Sequence, residues 1–136
     1  MKKIASFVLA AAILTFSAGC ATNNASQPKV NNAALEHYFL GTYSVIFANS
    51  LMTLDKAVIA VCSRAHLLLL SKVTSANSCD YVYKDINNVE LRISLEERKD
   101  DTVQMKMKVG RTGDKASCQE LLKAIDEELN RQQANL

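Results

Sequence analysis

The sequence predicts an α+β fold in which two helices pack on one face of a mostly antiparallel sheet, in the order β-α-β-β-β-α. Two kinds of pattern carry this. Val89, Leu91, Ile93 and Leu95 alternate with Glu90, Arg92, Ser94 and Glu96, and Val103, Met105, Met107 and Val109 alternate with Thr102, Gln104, Lys106 and Lys108. Successive side chains of a strand point to opposite faces, so this period-two pattern makes a sheet with one dry face and one wet face. Around residues 53–65 and 114–132, apolar residues recur instead at helical spacing. The wet face carries charges, so both helices must cover the dry one.

The chain opens with Met1-Lys2-Lys3, continues through Ile4 to Ala18 without a charge, and reaches Gly19-Cys20. A basic start, an apolar run and small residues at the cut are the three parts of an export signal. The apolar run is 15 residues long, short of the roughly 20 a membrane-spanning helix needs. Ser17-Ala18-Gly19-Cys20 resembles the lipobox of bacterial lipoproteins, with Ser17 where that motif usually has Leu. The resemblance implies that residues 1–19 are removed and that Cys20 is lipidated. Each buried lipid CH₂ contributes ~0.8 kcal/mol, so two or more chains hold such a protein on its membrane. Ala21 stands where Asp would retain a lipoprotein in the inner membrane, which resembles the class sorted to the outer membrane.

Residues 21–34, ATNNASQPKVNNAA, hold too little apolar surface to fold and read as a tether. The expected division is a signal over 1–19, a lipidated Cys and tether over 20–36, and one periplasmic α+β domain over 37–136. In that domain, Tyr38 to Asn49 is rich in β-branched and aromatic residues and predicts a first strand near 41–48. A helix follows from Thr53 to Ala65, with Thr53 as its cap and Leu54, Val58, Val61, Cys62 and Ala65 on one face. Leu67 to Val73 predicts a second strand and Cys79 to Lys84 a third. Asp85-Ile86-Asn87-Asn88 has turn chemistry. The two alternating strands come next, joined by a charged hairpin loop from Glu97 to Asp101. Gly110 and Gly113 end the sheet, and a last helix runs from Asp114 to Gln132 with Cys118, Leu122, Ile125 and Leu129 on one face.

Composition narrows the function. Without Lys2 and Lys3, the 16 basic residues fall to 14, against 14 acidic ones. The exported chain is balanced, with no run of like charge to suggest nucleic acid as a partner. No CxxC, HExxH, P-loop, GxSxG or GxGxxG pattern occurs. No catalytic residue, metal ligand set or cofactor is therefore expected. Cys62 and His66 could form a thiol–imidazole pair, but no third group orients them, and a small core cysteine beside a helix-terminal histidine is the plainer reading. A metal site on Cys62, His66, Cys79 and Cys118 lacks the paired ligand spacing zinc usually shows. The carboxylate groups Glu96-Glu97, Asp100-Asp101 and Asp126-Glu127-Glu128 read as solvated surface.

Two features carry structural expectations. If the first strand runs up, the first helix runs down and the last helix runs up, placing Cys62 beside Cys118. Any disulfide is then Cys62–Cys118, and the alternative is three reduced core thiols. Tyr43, Tyr81 and Tyr83 are core if they face the helices, as most such residues do, and an exposed aromatic interaction patch if they face outward.

At this point the chain resembles a family of small, uncharacterised proteobacterial lipoproteins that share a domain of unknown function. The residues carrying the likeness are Gly41, Leu54-Asp55-Lys56-Ala57-Val58, Val89-Glu90-Leu91-Arg92-Ile93, Gly113-Asp114 and Leu121-Leu122-Lys123-Ala124-Ile125. They make a fold and not a reaction. The resemblance implies a βαβββα domain and, for members in intracellular pathogens, a role in virulence or envelope integrity. The expected function is a non-catalytic, membrane-anchored envelope lipoprotein whose domain binds another envelope protein. The alternative is a periplasmic module that binds a peptide, glycan or lipid between helices and sheet.

Overall fold

A computed structural model describes residues 33–135. Its elements are β1 (Ala33–Phe39), β2 (Thr42–Phe47), α1 (Leu51–Arg64), β3 (Leu68–Thr74), β4 (Ser78–Lys84), β5 (Glu90–Glu97), β6 (Val103–Val109) and α2 (Lys115–Ala134). The predicted α+β class holds, and the predicted order is preceded by one further strand. Residues 33–36, assigned to the tether, begin β1 and pair with β2 from Ala33↔Phe47 to Phe39↔Thr42. Apolar content alone hid this strand: an edge strand takes its partner through backbone groups, which composition does not display.

The six strands lie in the order β1-β2-β6-β5-β4-β3, and every neighbouring pair is antiparallel. Register aligns the dry residues into rows across the sheet. Tyr43, Met107, Ile93 and Tyr81 form one row, and Val45, Met105, Leu95 and Cys79 the next. Leu54, Val58 and Cys62 of α1 and Cys118, Leu122, Ile125 and Leu129 of α2 close over these rows, all fully buried. The two helices also pack on each other, with α1 over β5 and α2 over β6 and β2.

Local chemistry sets the boundaries. Ser50, not Thr53, caps α1: its Oγ accepts from the Thr53 N–H at 3.2 Å. Either hydroxyl fits a cap, and the one a turn earlier wins because Leu51 and Leu54 then join the buried stripe. The helix stops where His66 adopts a left-handed φ of 59° and the Leu67 N–H reaches back to the Cys62 carbonyl at 3.0 Å. This is the Schellman closure, made with His where Gly is usual. Asp114 caps α2, accepting from the Ser117 N–H at 3.3 Å and the Ser117 hydroxyl at 2.9 Å. The Asp85 carboxylate takes the N–H groups of Asn87 and Val89, both at 2.8 Å, and makes the predicted turn.

Gly41 and Gly113 meet face to face. Their φ angles are +83° and +93°, and a Cβ on Gly113 would stand 2.3 Å from Gly41 Cα. The β1–β2 turn thus rests directly on the loop that opens α2, a contact only hydrogen-sized side chains allow.

Candidate functional site

The described sequence-predicted site residues lie inside, with Tyr81, Tyr83 and Cys62 close together and Tyr43 and Cys118 over other strands. Tyr43, Tyr81 and Tyr83 are only 3%, 1% and 3% exposed, so they form no surface patch. The register explains this, since each shares the helix-covered face with Met107, Ile93 or Leu91. Their hydroxyls are partnered there. Tyr43 donates to Glu36 of β1, and Tyr81 donates to Asp55 of α1. Burial, together with the Glu36 carboxylate, pushes the Tyr43 phenol up to about 12. Burial and then Asp55 raise Tyr81 further, and Tyr83 is raised by burial and by Cys62 beside it.

Cys62, Cys79 and Cys118 are free and buried. The expected Cys62–Cys118 bridge is not formed, and the reason is where each thiol goes. Cys62 lies against Tyr83 on β4, while the Cys118 thiol donates to the Met107 carbonyl on β6 at 3.8 Å. Strands β4 and β6 are separated by β5, about 10 Å apart at the usual strand spacing, and a disulfide needs Cα atoms within ~7 Å. Burial pushes the Cys62 and Cys118 thiols up to about 11, far from the thiolate form that does chemistry. His66 is exposed beyond the helix end and Cys62 turns inward, so the two do not combine. Among the described residues, no group of three or more His, Cys, Asp or Glu side chains is placed to hold a metal ion. Cys20, the predicted lipid site, lies outside the described residues.

One carboxylate group is corrected. Asp126 and Glu128 are 4% and 7% exposed, leaving only Glu127 on the solvated side. Three consecutive helical residues span about 200°, so one points out while its neighbours flank the packed stripe. Glu128 receives Arg64 of α1 at 2.9 Å and Arg131 of its own helix at 3.0 Å. Burial alone would raise its carboxyl. Hydrogen bonds from Gln132 and Arg64, with the charges of Arg64 and Arg131, outweigh burial and hold it below the ordinary range.

The surface that stands out is one the sequence analysis treated only as a strand. Every residue of β3 is exposed, including Leu68 at 64%, Leu69 at 43%, Leu70 at 48% and Val73 at 57%. It is a sheet edge, with β4 on one side and, among the described residues, no strand on the other. Edges of this kind are usually blunted by charge, and the strand does hold Lys72. But Lys72 is drawn back to Asp55 at 3.0 Å and sits 5.7 Å over the Tyr81 ring. Its charge is spent on α1 and does not guard the edge. A register shift between Leu69 and Ser71 is the remaining irregularity. Period-two reading could have flagged it: LLLL offers apolar residues to both faces, which a half-covered sheet cannot bury.

A second opening is an apolar groove of about 310 Å³ between the helices and one end of the sheet, lined by Val61, Ala65, Leu67, Val109, Leu121 and Ala124 among others. No helix among the described residues is long and apolar enough to cross a membrane.

Fold and surface together define a class: a small α+β domain with a sealed helix-covered face, an open charged face and an apolar free edge. The chain belongs to the family described as protein of unknown function DUF3568, whose model matches residues 3–128. No curated protein matches it.

Proposed function

We propose that this protein is a non-catalytic envelope lipoprotein, lipidated at Cys20 and held at the outer membrane, whose domain docks an extended segment of another envelope protein along β3. A role in envelope integrity or virulence would follow from that docking. The observation that carries the docking is the free β3 edge with its exposed leucines and inward-held lysine. An incoming strand would satisfy the outward backbone groups, and its apolar side chains would cover Leu68 and Val73, which share the open face, and Leu70 at the register shift between them. The anchor rests on the lipobox-like Ser17-Ala18-Gly19-Cys20 alone.

Photo-crosslinkers placed at Leu70 and at Val73 in intact cells test the docking, with Lys123 on the exposed side of α2 as the control. A discrete adduct from both β3 positions and none from Lys123 is the expected result. Equal labelling from all three positions would contradict it. Mass spectrometry of the native N-terminus tests the anchor: a triacylated Cys20 supports it, and a chain that still carries Met1 sinks it.

The apolar groove at Val61, Leu67 and Leu121 favours a second reading, a small-ligand module for a peptide, glycan or lipid. Under that reading, a bulky Ala124→Trp substitution abolishes binding and leaves β3 adducts intact.

A further inference from the structure

The open face of the sheet holds a feature that strand docking does not use. On β6, Lys106 and Lys108 point to this face. Lys106 lies between Ser44 of β2 and Ser94 of β5, and Lys108 lies directly opposite Arg92 of β5. Like charges directly opposed across a sheet are destabilising, because their Cβ atoms are only about 4.5–5.5 Å apart.

Of the carboxylates on this face, only Glu90 reaches one of these cations, and none reaches either lysine. Glu90 takes the Arg92 Nε at 2.7 Å and is opposite Lys84. Asp80 is opposite Ser94, and Glu96 is opposite Gln104. Among the described residues neither Lys106 nor Lys108 has an ion pair, and the terminal nitrogens of Arg92 have no partner. Arg92 and Lys106 are exposed and Lys108 is half-buried. They line one shallow groove of about 360 Å³, with Thr42 and Ser94 supplying hydroxyls and Asp80 and Val82 on the β4 side.

We propose that this groove binds a phosphate group. Arg92, already oriented through its Nε by Glu90, presents its other two nitrogens as a fork that matches two phosphate oxygens. Lys106 and Lys108 supply point charges, and the hydroxyls of Thr42 and Ser94 donate to the remaining oxygens. A bound anion also removes the repulsion between Arg92 and Lys108, so occupancy stabilises the sheet. The groove is open along one side, which admits a free phosphate or the phosphodiester of a lipid headgroup. Asp80 disfavours a second anionic group on the β4 side.

The full chain is titrated with inorganic phosphate and, separately, with dihexanoyl phosphatidylglycerol below its micelle concentration. Amide NMR shifts at residues 92–94 and 106–108 and the thermal midpoint are followed, with chloride at matched ionic strength as control. Saturable shifts confined to these strands, with a raised midpoint, are expected from at least one probe. Saturation by phosphate alone assigns free phosphate, and saturation by the short-chain lipid assigns a headgroup. The double variant Lys106→Gln/Lys108→Gln should weaken binding at least tenfold. Arg92→Lys, which keeps the charge and loses the fork, should weaken it severalfold. These exposed positions leave the fold in place, so circular dichroism of each variant should match the parent. Shifts no larger than those from chloride, or equal binding by the double variant, would overturn the proposal.

Discussion

Compare the two faces of this sheet. On the covered face, Tyr43, Met107, Ile93 and Tyr81 stand in one row, and the hydroxyls at its two ends are taken by Glu36 and Asp55. On the open face, one residue along the same strands, Arg92 and Lys108 stand opposed, with Glu90 on the Arg92 Nε and no carboxylate on Lys108 among the described residues. The covered face holds the three domain cysteines and Tyr43, Tyr81 and Tyr83, and leaves no buried polar side-chain atom without a partner among the described residues. The open face and the β3 edge hold ordinary residues in unrelieved arrangements. Unmet interactions, more than suggestive residue types, mark where a partner belongs.

The largest effect should come from breaking the covered face. Ile125→Ala removes a fully buried side chain between helix and sheet. It should destabilise by about 2–5 kcal/mol, read by chemical denaturation. Tyr81→Phe keeps the ring and deletes the donor to Asp55. A loss of about 1–2 kcal/mol is expected, and a neutral result would mean that Lys72 alone suffices for Asp55.

Glu128 gives a smaller effect with a pH signature. Its carboxyl titrates lower in the folded chain than in the unfolded one. Its contribution is therefore complete above the unfolded value near ~4.3 and is lost as pH falls through the lower folded value. Glu128→Gln should cost about 1 kcal/mol at neutral pH, since Arg64 and Arg131 are half exposed and screened, and the difference from the parent should vanish in acid. Denaturation at neutral and acidic pH checks this, and a constant difference would contradict it. Smallest of all is Lys106→Gln, which should change stability by less than ~0.5 kcal/mol while weakening the anion shifts. That separation of stability from binding is what distinguishes an open functional face from a covered structural one.

Much of the fold was legible because it rests on period. Val89 to Glu96 and Thr102 to Val109 announce strands whose dry sides the structure buries from Leu91 to Leu95 and from Val103 to Met107, with Val89 exposed ahead of its strand. The helices lie within two residues of their predicted limits at each end. What escaped was long-range. β1 is specified by its pairing with β2, and the Gly41–Gly113 contact joins residues far apart in the chain, which no local pattern encodes. The thiol positions escaped for the same reason, since helix direction alone does not say over which strand each cysteine descends. Tyr43, Tyr81 and Tyr83 were readable as core from their alternation. The opposition of Arg92 to Lys108 was not, because it depends on hairpin register.

The claim that most needs testing is that β3 is an occupied edge in the cell. Amide hydrogen exchange of Leu68–Thr74 measures it directly, taken on the full chain in its native membranes and again after detergent extraction and purification. The account predicts that outward β3 amides are protected in membranes and exchange rapidly in the purified chain, while Glu90–Glu97, bonded on both sides, exchanges equally in the two. Equal exchange of β3 in both samples would contradict it.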